Sequence, residues 1–256
     1  MKAVILAAGQ GTRLQPLTND KPKCMVEFRN KPIIHYITQT LKDCGISDIA
    51  IVNGYKKDVL ENYFINDNIK WYTNESYAST NMVKTLFCAK EFFDDDLIIS
   101  YADIIFNKKI LNCIMKSNYD FNVVVDKDWE ILWNLRMENP LEDAETLKII
   151  DDNIVEIGKR ALDITEIHGQ YIGLVKISKS ALLNLVKFYE SLDKTKMYEG
   201  KDFDNMYMTT LIQLIIDHVS NVTPVYVNGG WIEIDSFDDL NIYCSNEKLT
   251  SKILNL

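Results

Sequence analysis

Two cations follow a glycine-broken loop near the start of the 256-residue chain. Gly9 and Gly11 come soon after the apolar residues 3–6, a pattern typical of a buried strand. Backbone N–H groups at glycines can approach a polyphosphate because no side chain intervenes. Arg13 and Lys23 bring two positive charges to the same region. The pattern therefore predicts a site that binds a nucleoside triphosphate.

Two commoner glycine motifs do not fit this loop. A dinucleotide fingerprint requires glycine or alanine three positions after Gly11, where the chain has Leu14. A Walker loop requires Gly-Lys followed by Ser or Thr, which the sequence lacks. A plain turn would explain Gly-X-Gly by itself. The longer run at 9–18, Gly-Gln-Gly-Thr-Arg-Leu-Gln-Pro-Leu-Thr, followed by Lys-Pro-Lys at 21–23, is much more specific.

Three carboxylates form a candidate metal site. Asp103 follows the apolar residues 97–102, and Glu233 and Asp235 lie two positions apart in Trp-Ile-Glu-Ile-Asp. A spacing of two places both side chains on one side of a strand, where they repel each other unless a cation neutralises them. Mg²⁺ prefers a few hard oxygens together with substrate phosphates. We therefore expect Mg²⁺ here; the alternatives are a turn residue at 103 and an exposed acidic edge.

The composition narrows the class of protein. A net charge of −9 argues against a nucleic-acid partner, because phosphate contacts need a basic face. The five cysteines show no close pairing, which argues against a disulfide scaffold and a zinc site. No run approaches the roughly 20 apolar residues of a membrane span, and the short apolar start before Arg13 is a poor signal peptide. We therefore expect a cytoplasmic protein with no membrane partner.

Strand and helix patterns alternate along the first half, which predicts a three-layer α/β fold with a mostly parallel sheet flanked by helices. Predicted strands cover 3–6, 48–53, 69–73, 97–101, 121–125, 147–150, 154–158, 171–177 and 224–227. Predicted helices cover 31–44, 57–64, 82–93, 108–115, 180–191 and 202–219, with a last helix towards 248. Gly45 is expected to cap the first helix, and Ser79 or Thr80 the third. We expect one domain over 1–256, with an acceptor-binding excursion at about 127–170.

Further segments carry a resemblance when they are taken with the opening signature. They are 125–129 (Val-Asp-Lys-Asp-Trp), 132–145, 156–159 (Glu-Ile-Gly-Lys), 168–174 (His-Gly-Gln-Tyr-Ile-Gly-Leu) and 231–235. Over nearly its whole length the chain resembles the phosphocholine-type cytidylyltransferases, and within them the enzymes that act on phosphoglutamine in the capsule phosphoramidate pathway. The resemblance implies a Rossmann-like, nucleotide-diphospho-sugar transferase-like fold. It also implies CTP, Mg²⁺, a phosphorylated acceptor, and the products CDP-X and pyrophosphate.

The same resemblance implies roles for individual residues. The catalytic set is Arg13 against the departing β- and γ-phosphates, Lys23 between the α-phosphate and the acceptor phosphate, and Lys159 on the incoming phosphate. The nucleotide-binding set is Leu6, Ala8, Gly9, Gly11, Thr12, Ser79, Thr80, Asn81 and Ala102, in which 79–81 read the cytosine edge. The metal set is Asp103, Glu233 and Asp235. The acceptor-binding set is Asp126, Trp129, Trp133, Arg136, Glu166, Gln170 and Tyr171.

Two features bear on the acceptor and leave it open. Trp129 and Trp133 lie four positions apart and share a helix face, a spacing commoner in core packing than in ligand sites. With acidic neighbours they could surround an ammonium group, either trimethylammonium or the α-amino group of glutamine. Arg136 could pair with a carboxylate, which glutamine has and choline lacks, unless Glu138 or Glu142 holds it. The acceptor is therefore L-glutamine phosphate, phosphocholine or a sugar 1-phosphate.

The expected reaction is direct in-line displacement at the α-phosphorus of CTP. A glycosyltransferase of related architecture would carry Asp-X-Asp after the strand, whereas Ile104 and Ile105 follow Asp103. A non-catalytic nucleotide-binding relative would have lost Arg13, Lys23 or the acidic ligands, and this chain has all of them. No nucleic-acid partner is expected, and a homodimer remains open.

Overall fold

Strands and helices alternate through the structure, a computed structural model that describes residues 1–254. Its strands are β1 (Lys2–Leu6), β2 (Glu27–Phe28), β3 (Lys31–Pro32), β4 (Ile49–Asn53), β5 (Ile69–Thr73), β6 (Leu97–Tyr101), β7 (Ile104–Phe106), β8 (Phe121–Asp126), β9 (Glu145–Ile150), β10 (Asn153–Arg160), β11 (Gln170–Ile177), β12 (Met197–Tyr198), β13 (Lys201–Asp202), β14 (Thr223–Val227) and β15 (Trp231–Glu233). Its α-helices are α1 (Ile33–Asp43), α2 (Lys57–Tyr63), α3 (Met82–Cys88), α4 (Lys108–Met115), α5 (Trp129–Arg136), α6 (Lys179–Ser191), α7 (Met208–His218), α8 (Phe237–Ser245) and α9 (Glu247–Leu254).

The central sheet is mostly parallel, as the sequence predicts. In residues 1–254 it has seven strands, in the order β14-β8-β11-β6-β1-β4-β5. β1 is parallel to β4 and β6, β4 is parallel to β5, and β8 is parallel to β14. β11 is antiparallel to β6 and to β8. The carboxyl ends of β1, β4 and β6 therefore meet at one edge of the sheet, which is where such folds present their ligands.

Alternating side chains of β1 supply two separate cores. Ala3 and Ile5 face the core that contains buried residues of α1 and α4. Val4 and Leu6 face the core formed with α3, α6 and α7. Because helices cover both faces of the sheet, its strands are apolar almost throughout rather than alternating. The predicted three-layer α/β architecture is confirmed.

Two of the helices with predicted bounds are wrong by more than two residues at one end. The helix expected at 82–93 ends at Cys88 and is followed by a short 3-10 turn at Lys90–Phe92. The helix expected at 202–219 begins only at Met208, because 201–202 form β13 and 203–205 a 3-10 turn whose Asn205 N–H donates to the Asp202 carboxylate. The predicted cap at Gly45 is confirmed by its φ of +87° and its N–H donating to the Lys42 carbonyl.

The excursion at 127–170 contains α5 and an antiparallel hairpin of β9 and β10. The hairpin packs against α7, and Gly158 lies so close to Thr209 that a Cβ atom there would be 2.5 Å from the Thr209 Cβ. β9 also packs against β11. None of the helices within 1–254 has both the length and the apolar character that crossing a membrane requires.

Candidate active site

A short pair of strands brings the three predicted metal-binding carboxylates together. β7, which the sequence patterns do not reveal, begins one residue after Asp103 and pairs with β15 so that Glu233 lies opposite Ile104. The Ile234 N–H then donates to the Asp103 carbonyl at 2.9 Å. Residues separated by about 130 positions in the chain are thereby fixed side by side at the end of β6. β15 ends at Glu233, and Asp235 lies between β15 and α8.

Lys23 lies between two of these carboxylates. Its Nζ is 2.8 Å from Asp103 Oδ2 and 2.5 Å from Asp235 Oδ1. Burial by itself would lower the pKa of the Lys23 ammonium, but Asp103 and Asp235 outweigh burial and hold that pKa above its ordinary value. Lys23 is therefore a fixed positive charge. Arg13 also forms an ion pair with Asp235, while its side chain remains largely exposed.

Gly11 makes the close approach of the opening loop to Lys23 possible. Its φ is +70°, in the left-handed region that glycine adopts without strain. A Cβ atom at this position would lie 2.7 Å from Lys23 Cβ. The Thr18 hydroxyl donates to the Gly11 carbonyl at 2.8 Å and holds the loop in this shape. The glycine loop and Lys23 therefore pack against each other.

A cavity of about 340 Å³ opens between the loop and the ends of β1 and β6. Of the residues predicted to bind nucleotide, it is lined by Leu6, Ala8, Gly9, Gly11, Thr12, Thr80, Asn81 and Ala102. Arg13, Lys23, Asp103, Glu233 and Asp235 line it as well. Ser79 does not: its exposed hydroxyl donates to the Ser76 carbonyl, and its own carbonyl accepts from the Asn205 side chain. The prediction for Ser79 is therefore corrected.

Asn81 brings a polar side chain to the same cavity. Asn81 is held by its Oδ1, which accepts from the Met82 N–H at 2.8 Å, and by its N–H, which donates to the Asp204 carbonyl. Asn81, rather than Ser79 or Thr80, precedes α3 as its cap. Tyr77 and Thr85 line the same cavity and were not predicted from the sequence.

Glu233 is engaged differently from the other two carboxylates. Its Oε2 accepts from Arg136 Nη1 at 2.6 Å. Burial raises the pKa of Glu233; the Arg136 charge opposes this shift, and the Asp103 and Asp235 charges add to it. Within residues 1–254 no three Asp, Glu, His or Cys side chains are arranged as a metal-binding group. Glu233 is thus paired with Arg136, and its direct binding of a metal stays a prediction.

Asp103 and Asp235 nevertheless fit a divalent cation. Asp103 Oδ1 is buried and accepts no hydrogen bond from any residue that the structure describes. Mg²⁺ commonly binds one or two protein carboxylates and completes its coordination with substrate phosphates and water. A buried carboxylate oxygen without a partner, next to a second carboxylate and a nucleotide-sized cavity, has the chemistry that this coordination needs.

A second cavity, of about 220 Å³, adjoins the first and shares Arg13, Tyr101, Glu233 and Asp235 with it. Three residues of the predicted acceptor set line it: Trp133, Gln170 and Tyr171. The Tyr171 hydroxyl is buried and has no hydrogen-bond partner among residues 1–254. We refer to this space as the acceptor cavity.

Glu145 is a strongly perturbed acid of the acceptor cavity that was not predicted from the sequence. Burial, with smaller contributions from Asp143 and Glu199, raises its pKa to about 7. Gln170 fixes its backbone: the Gln170 amide donates to the Glu145 carbonyl at 2.6 Å and accepts from the Glu145 N–H at 3.3 Å. Trp133 donates to Asp143 at 3.0 Å. A spacing of two between acids at the start of a strand was the signal available in the sequence.

Two predicted acceptor residues are structural in this fold. Asp126 is buried, and its carboxylate accepts from the N–H groups of Asp128 and Gly229 and from the Trp231 indole at 2.8 Å. It therefore fixes Trp231, which does line the acceptor cavity. Trp129 is buried in the core, edge-to-face with Trp133 at 5.7 Å, and lines neither cavity.

Three further predicted residues lie outside both cavities. Arg136 is buried between Glu233 and Asp239, not held by Glu138 or Glu142. Glu166 accepts from Lys148 and from the Leu162 N–H. The half-exposed side chain of Lys159 pairs with Glu156 on β10, with Nζ 2.7 Å from the carboxylate. The structure therefore does not bring the Lys159 ammonium to the site.

Comparison with known proteins agrees with this architecture. A family model described as Nucleotidyl transferase matches residues 2–122. The CTP:phosphoglutamine cytidylyltransferase of Campylobacter jejuni subsp. jejuni serotype O:2 is 47% identical over 249 residues, covering 94% of this chain and 98% of that protein. The choline-phosphate cytidylyltransferase of Streptococcus pneumoniae is 28% identical, covering 78% of this chain and 92% of that protein.

Solved structures share the fold. The CTP:phosphocholine cytidylyltransferase from Streptococcus pneumoniae has a TM-score of 0.73 at 24% identity, covering 96% of this chain and 99% of that one. The inositol-1-phosphate CTP transferase from T. maritima has a TM-score of 0.75 at 19% identity, covering 99% and 94%. At these identities the likeness concerns the fold alone. Together, the match to the Campylobacter relative and the family model show that this chain belongs to the nucleotidyltransferase family and is a nucleotidyltransferase.

Proposed function

We propose that this protein is a cytidylyltransferase that couples CTP to L-glutamine phosphate and releases pyrophosphate. The observation that carries the proposal is the junction of Lys23 with Asp103 and Asp235. There, cations of the opening loop meet acids from distant parts of the chain, where two cavities join. One cavity has the features of a nucleotide site, and the other is acidic and aromatic.

The chemistry follows from this arrangement. An oxygen of the acceptor phosphate attacks the α-phosphorus of CTP, and the bond to the departing pyrophosphate breaks with its electron pair on that group. A phosphate monoester is largely ionised near neutral pH, so the enzyme needs no general base. Lys23 holds the two reacting phosphates together, and exposed Arg13 neutralises charge on the leaving group. Catalysis then rests on positioning and charge neutralisation.

Asp103 and Asp235 are the residues that would hold Mg²⁺. When bound, Mg²⁺ supplies charge neutralisation to the triphosphate. Asp103→Asn is expected to abolish Mg²⁺-dependent turnover and to leave the fold intact, because a carboxamide is a weaker ligand. Lys148→Met is a suitable control, since Lys148 bridges Glu156 and Glu166 outside both cavities. An Asp103→Asn enzyme with unchanged Mg²⁺ dependence would remove this residue from the metal site.

The acceptor cavity favours a substrate with a cationic group. Glu145 and Asp143 contribute acidic groups, and Trp133 and Trp231 contribute aromatic rings. An ammonium group beside these residues gains ion pairing and cation–π attraction. Glutamine phosphate carries an α-ammonium and phosphocholine a trimethylammonium, whereas a sugar 1-phosphate carries no cation. Phosphocholine is therefore the alternative acceptor that this cavity also supports.

Arg136 no longer helps to choose between these acceptors, because its guanidinium is engaged by Glu233 and Asp239. The choice of phosphoglutamine rests instead on the similarity to the Campylobacter enzyme over both halves of the chain. CTP as the donor has the same support, together with the amide of Asn81 in the nucleotide cavity. An amide can donate and accept, which suits the edge of cytosine.

Pyrophosphate release tests the proposal directly. CTP is supplied with phosphoglutamine, phosphocholine, phosphoethanolamine or a sugar 1-phosphate, and UTP replaces CTP in a parallel series. The expected result is the highest kcat/KM with CTP and phosphoglutamine. The highest value with a sugar 1-phosphate would contradict the acceptor, and equal rates with UTP would contradict the base. Consumption of a ready-made nucleotide sugar without pyrophosphate release would favour a glycosyltransferase.

A further inference from the structure

Arg136 ends α5, and its side chain is almost completely buried between two acids. Nη1 is 2.6 Å from Glu233 Oε2, Nε is 2.8 Å from Asp239 Oδ1, and Nη2 is 3.2 Å from Asp239 Oδ2. The guanidinium thus makes a two-pronged contact with one carboxylate and a single contact with the other. Only the planar fork of arginine can satisfy both acids at once.

One partner of Arg136 is itself an acid of the site, and the other partner fixes such an acid. Glu233 lines both cavities itself. Asp239 Oδ2 accepts from the Asp235 N–H at 3.0 Å and from the Ser236 N–H at 2.9 Å. Asp239 therefore fixes the backbone of Asp235 at the start of α8, where Ser236 completes a capping box.

The same turn of α5 reaches the acceptor cavity. Trp133 lies three positions before Arg136, lines that cavity, and donates to Asp143. The Arg136 guanidinium lies 5.6 Å from the centre of the Trp133 ring. A single helical turn thus contacts the acceptor side through Trp133 and the acids around Lys23 through Arg136.

We propose that Arg136 is a positioning residue for nucleotidyl transfer, which sets Glu233 and Asp235 in register with Lys23 and the metal ion. This inference rests on the proposed function for its kinetic part. Arg136 lines neither the nucleotide cavity nor the acceptor cavity, so it acts through the acids that it holds. Removing residues that orient metal-binding carboxylates typically lowers metal affinity or activity by about 10- to 100-fold.

Arg136→Lys tests this inference, because it keeps the positive charge and loses the fork. We expect kcat to fall by about 10- to 100-fold and the Mg²⁺ concentration for half-maximal rate to rise by a similar factor. Half-saturation by Mg²⁺ does not depend on how much of the protein is folded. Mn²⁺ binding to the protein without substrates, followed by electron paramagnetic resonance, should weaken in parallel. Lys148→Met, which removes a cation between two acids of the excursion, should change neither quantity.

Two results would overturn the inference. A lower yield of folded protein with unchanged kcat per folded enzyme and unchanged Mg²⁺ half-saturation would make Arg136 merely structural. A higher KM for phosphoglutamine alone, with phosphocholine turnover and Mn²⁺ binding unchanged, would indicate instead that Arg136 contacts the carboxylate of the acceptor.

Two provisions keep the test decisive. If Arg136→Lys fails to fold, Asp239→Asn takes its place, because its amide oxygen still accepts from Asp235 while its NH₂ group faces Arg136. The same metal and rate effects are expected for it. If the wild-type enzyme releases no pyrophosphate with any acceptor, the proposed function fails, and Mn²⁺ binding still decides the role of Arg136.

Discussion

Replacing Lys23 by methionine removes the charge at the centre of the site while keeping most of the side-chain volume. In the structure Lys23 joins Asp103 and Asp235, and Asp235 also has Arg13. After the substitution Asp103 has no ion pair with any residue in 1–254. The change therefore leaves one carboxylate uncompensated and the other half-compensated.

The expected loss of stability in Lys23→Met follows from the burial of the three side chains. Breaking a buried ion pair by removing one partner costs about 3–5 kcal/mol. The three side chains are 13–15% exposed, so water screens the pair and the lower end, about 3 kcal/mol, applies. In a chain of this size each kcal/mol lowers Tm by about 2–4 °C, so the expected shift is about 6–12 °C. Removing one preorganised charge at the reacting phosphates should also lower kcat by roughly a hundred- to a thousandfold.

Thermal unfolding and pyrophosphate release separate the two effects. Lys23→Met combined with Asp103→Asn should recover much of the lost Tm, because the stranded charge is gone, and should recover no activity. Saturating Mg²⁺ should raise the Tm of Lys23→Met more than that of the wild type. Lys84→Met breaks the exposed pair with Asp204 and should cost at most about 1 kcal/mol.

Near wild-type turnover in Lys23→Met would refute the assigned role of this residue. A loss of Tm no larger than that of Lys84→Met would refute the reasoning about the buried ion pair. A double variant no more stable than Lys23→Met would show that Asp103 is not the group left stranded.

Two more predictions concern the acceptor cavity and the opening loop. Burial raises the pKa of Glu145 to about 7, so its carboxylate becomes protonated as the pH falls through that value. The ratio of the acceptor KM of the wild type to that of Glu145→Gln should therefore increase as the pH falls. A ratio that does not change with pH would exclude Glu145 from acceptor binding. Since the charged form is disfavoured in the folded state, Glu145→Gln should also raise Tm above about pH 7 and not below about pH 4.5. Gly11→Ala and Gly45→Ala both place alanine at positive φ, but only Gly11 also approaches Lys23; kcat should fall in Gly11→Ala alone, and equal kcat in the two variants would show that this close approach does not matter.

Local patterns predicted the elements whose apolar residues form either a continuous run or one regular face. The strands 69–73 and 97–101 and the helix 108–115 have the predicted bounds, because apolar periodicity and caps are properties of neighbouring residues. β7 was missed because three apolar residues after Asp103 do not reveal a strand until β15 pairs with them. The helix expected from 202 was shortened because the Asp202 side chain caps a 3-10 turn instead.

The nucleotide side of the site was more predictable than the acceptor side for a related reason. The glycine loop and Asp103 follow the neighbouring parallel strands β1 and β6, so their meeting follows from the fold class. Lys23 joins them because the loop packs against it at Gly11. Arg136 meets Glu233 across 97 positions, and nothing in the residues around either one indicates the partner. The acidic and basic side chains of the excursion could form several different ion pairs, and only the packing of the folded chain decides which of these pairs form.

The division of the site along the chain bears on specificity. Apart from Glu233 and Asp235, the residues that line the nucleotide cavity lie within 6–103, inside the segment that the family model matches. The residues that line the acceptor cavity come mostly from 133–235, beyond that segment. A relative that aligns only with the first half therefore bears on nucleotidyl transfer in general and not on the acceptor. Similarity that continues through β9, β11 and α7 supports the proposed acceptor, and under that proposal a change of acceptor is expected to require changes at Glu145 and Tyr171, which line the acceptor cavity.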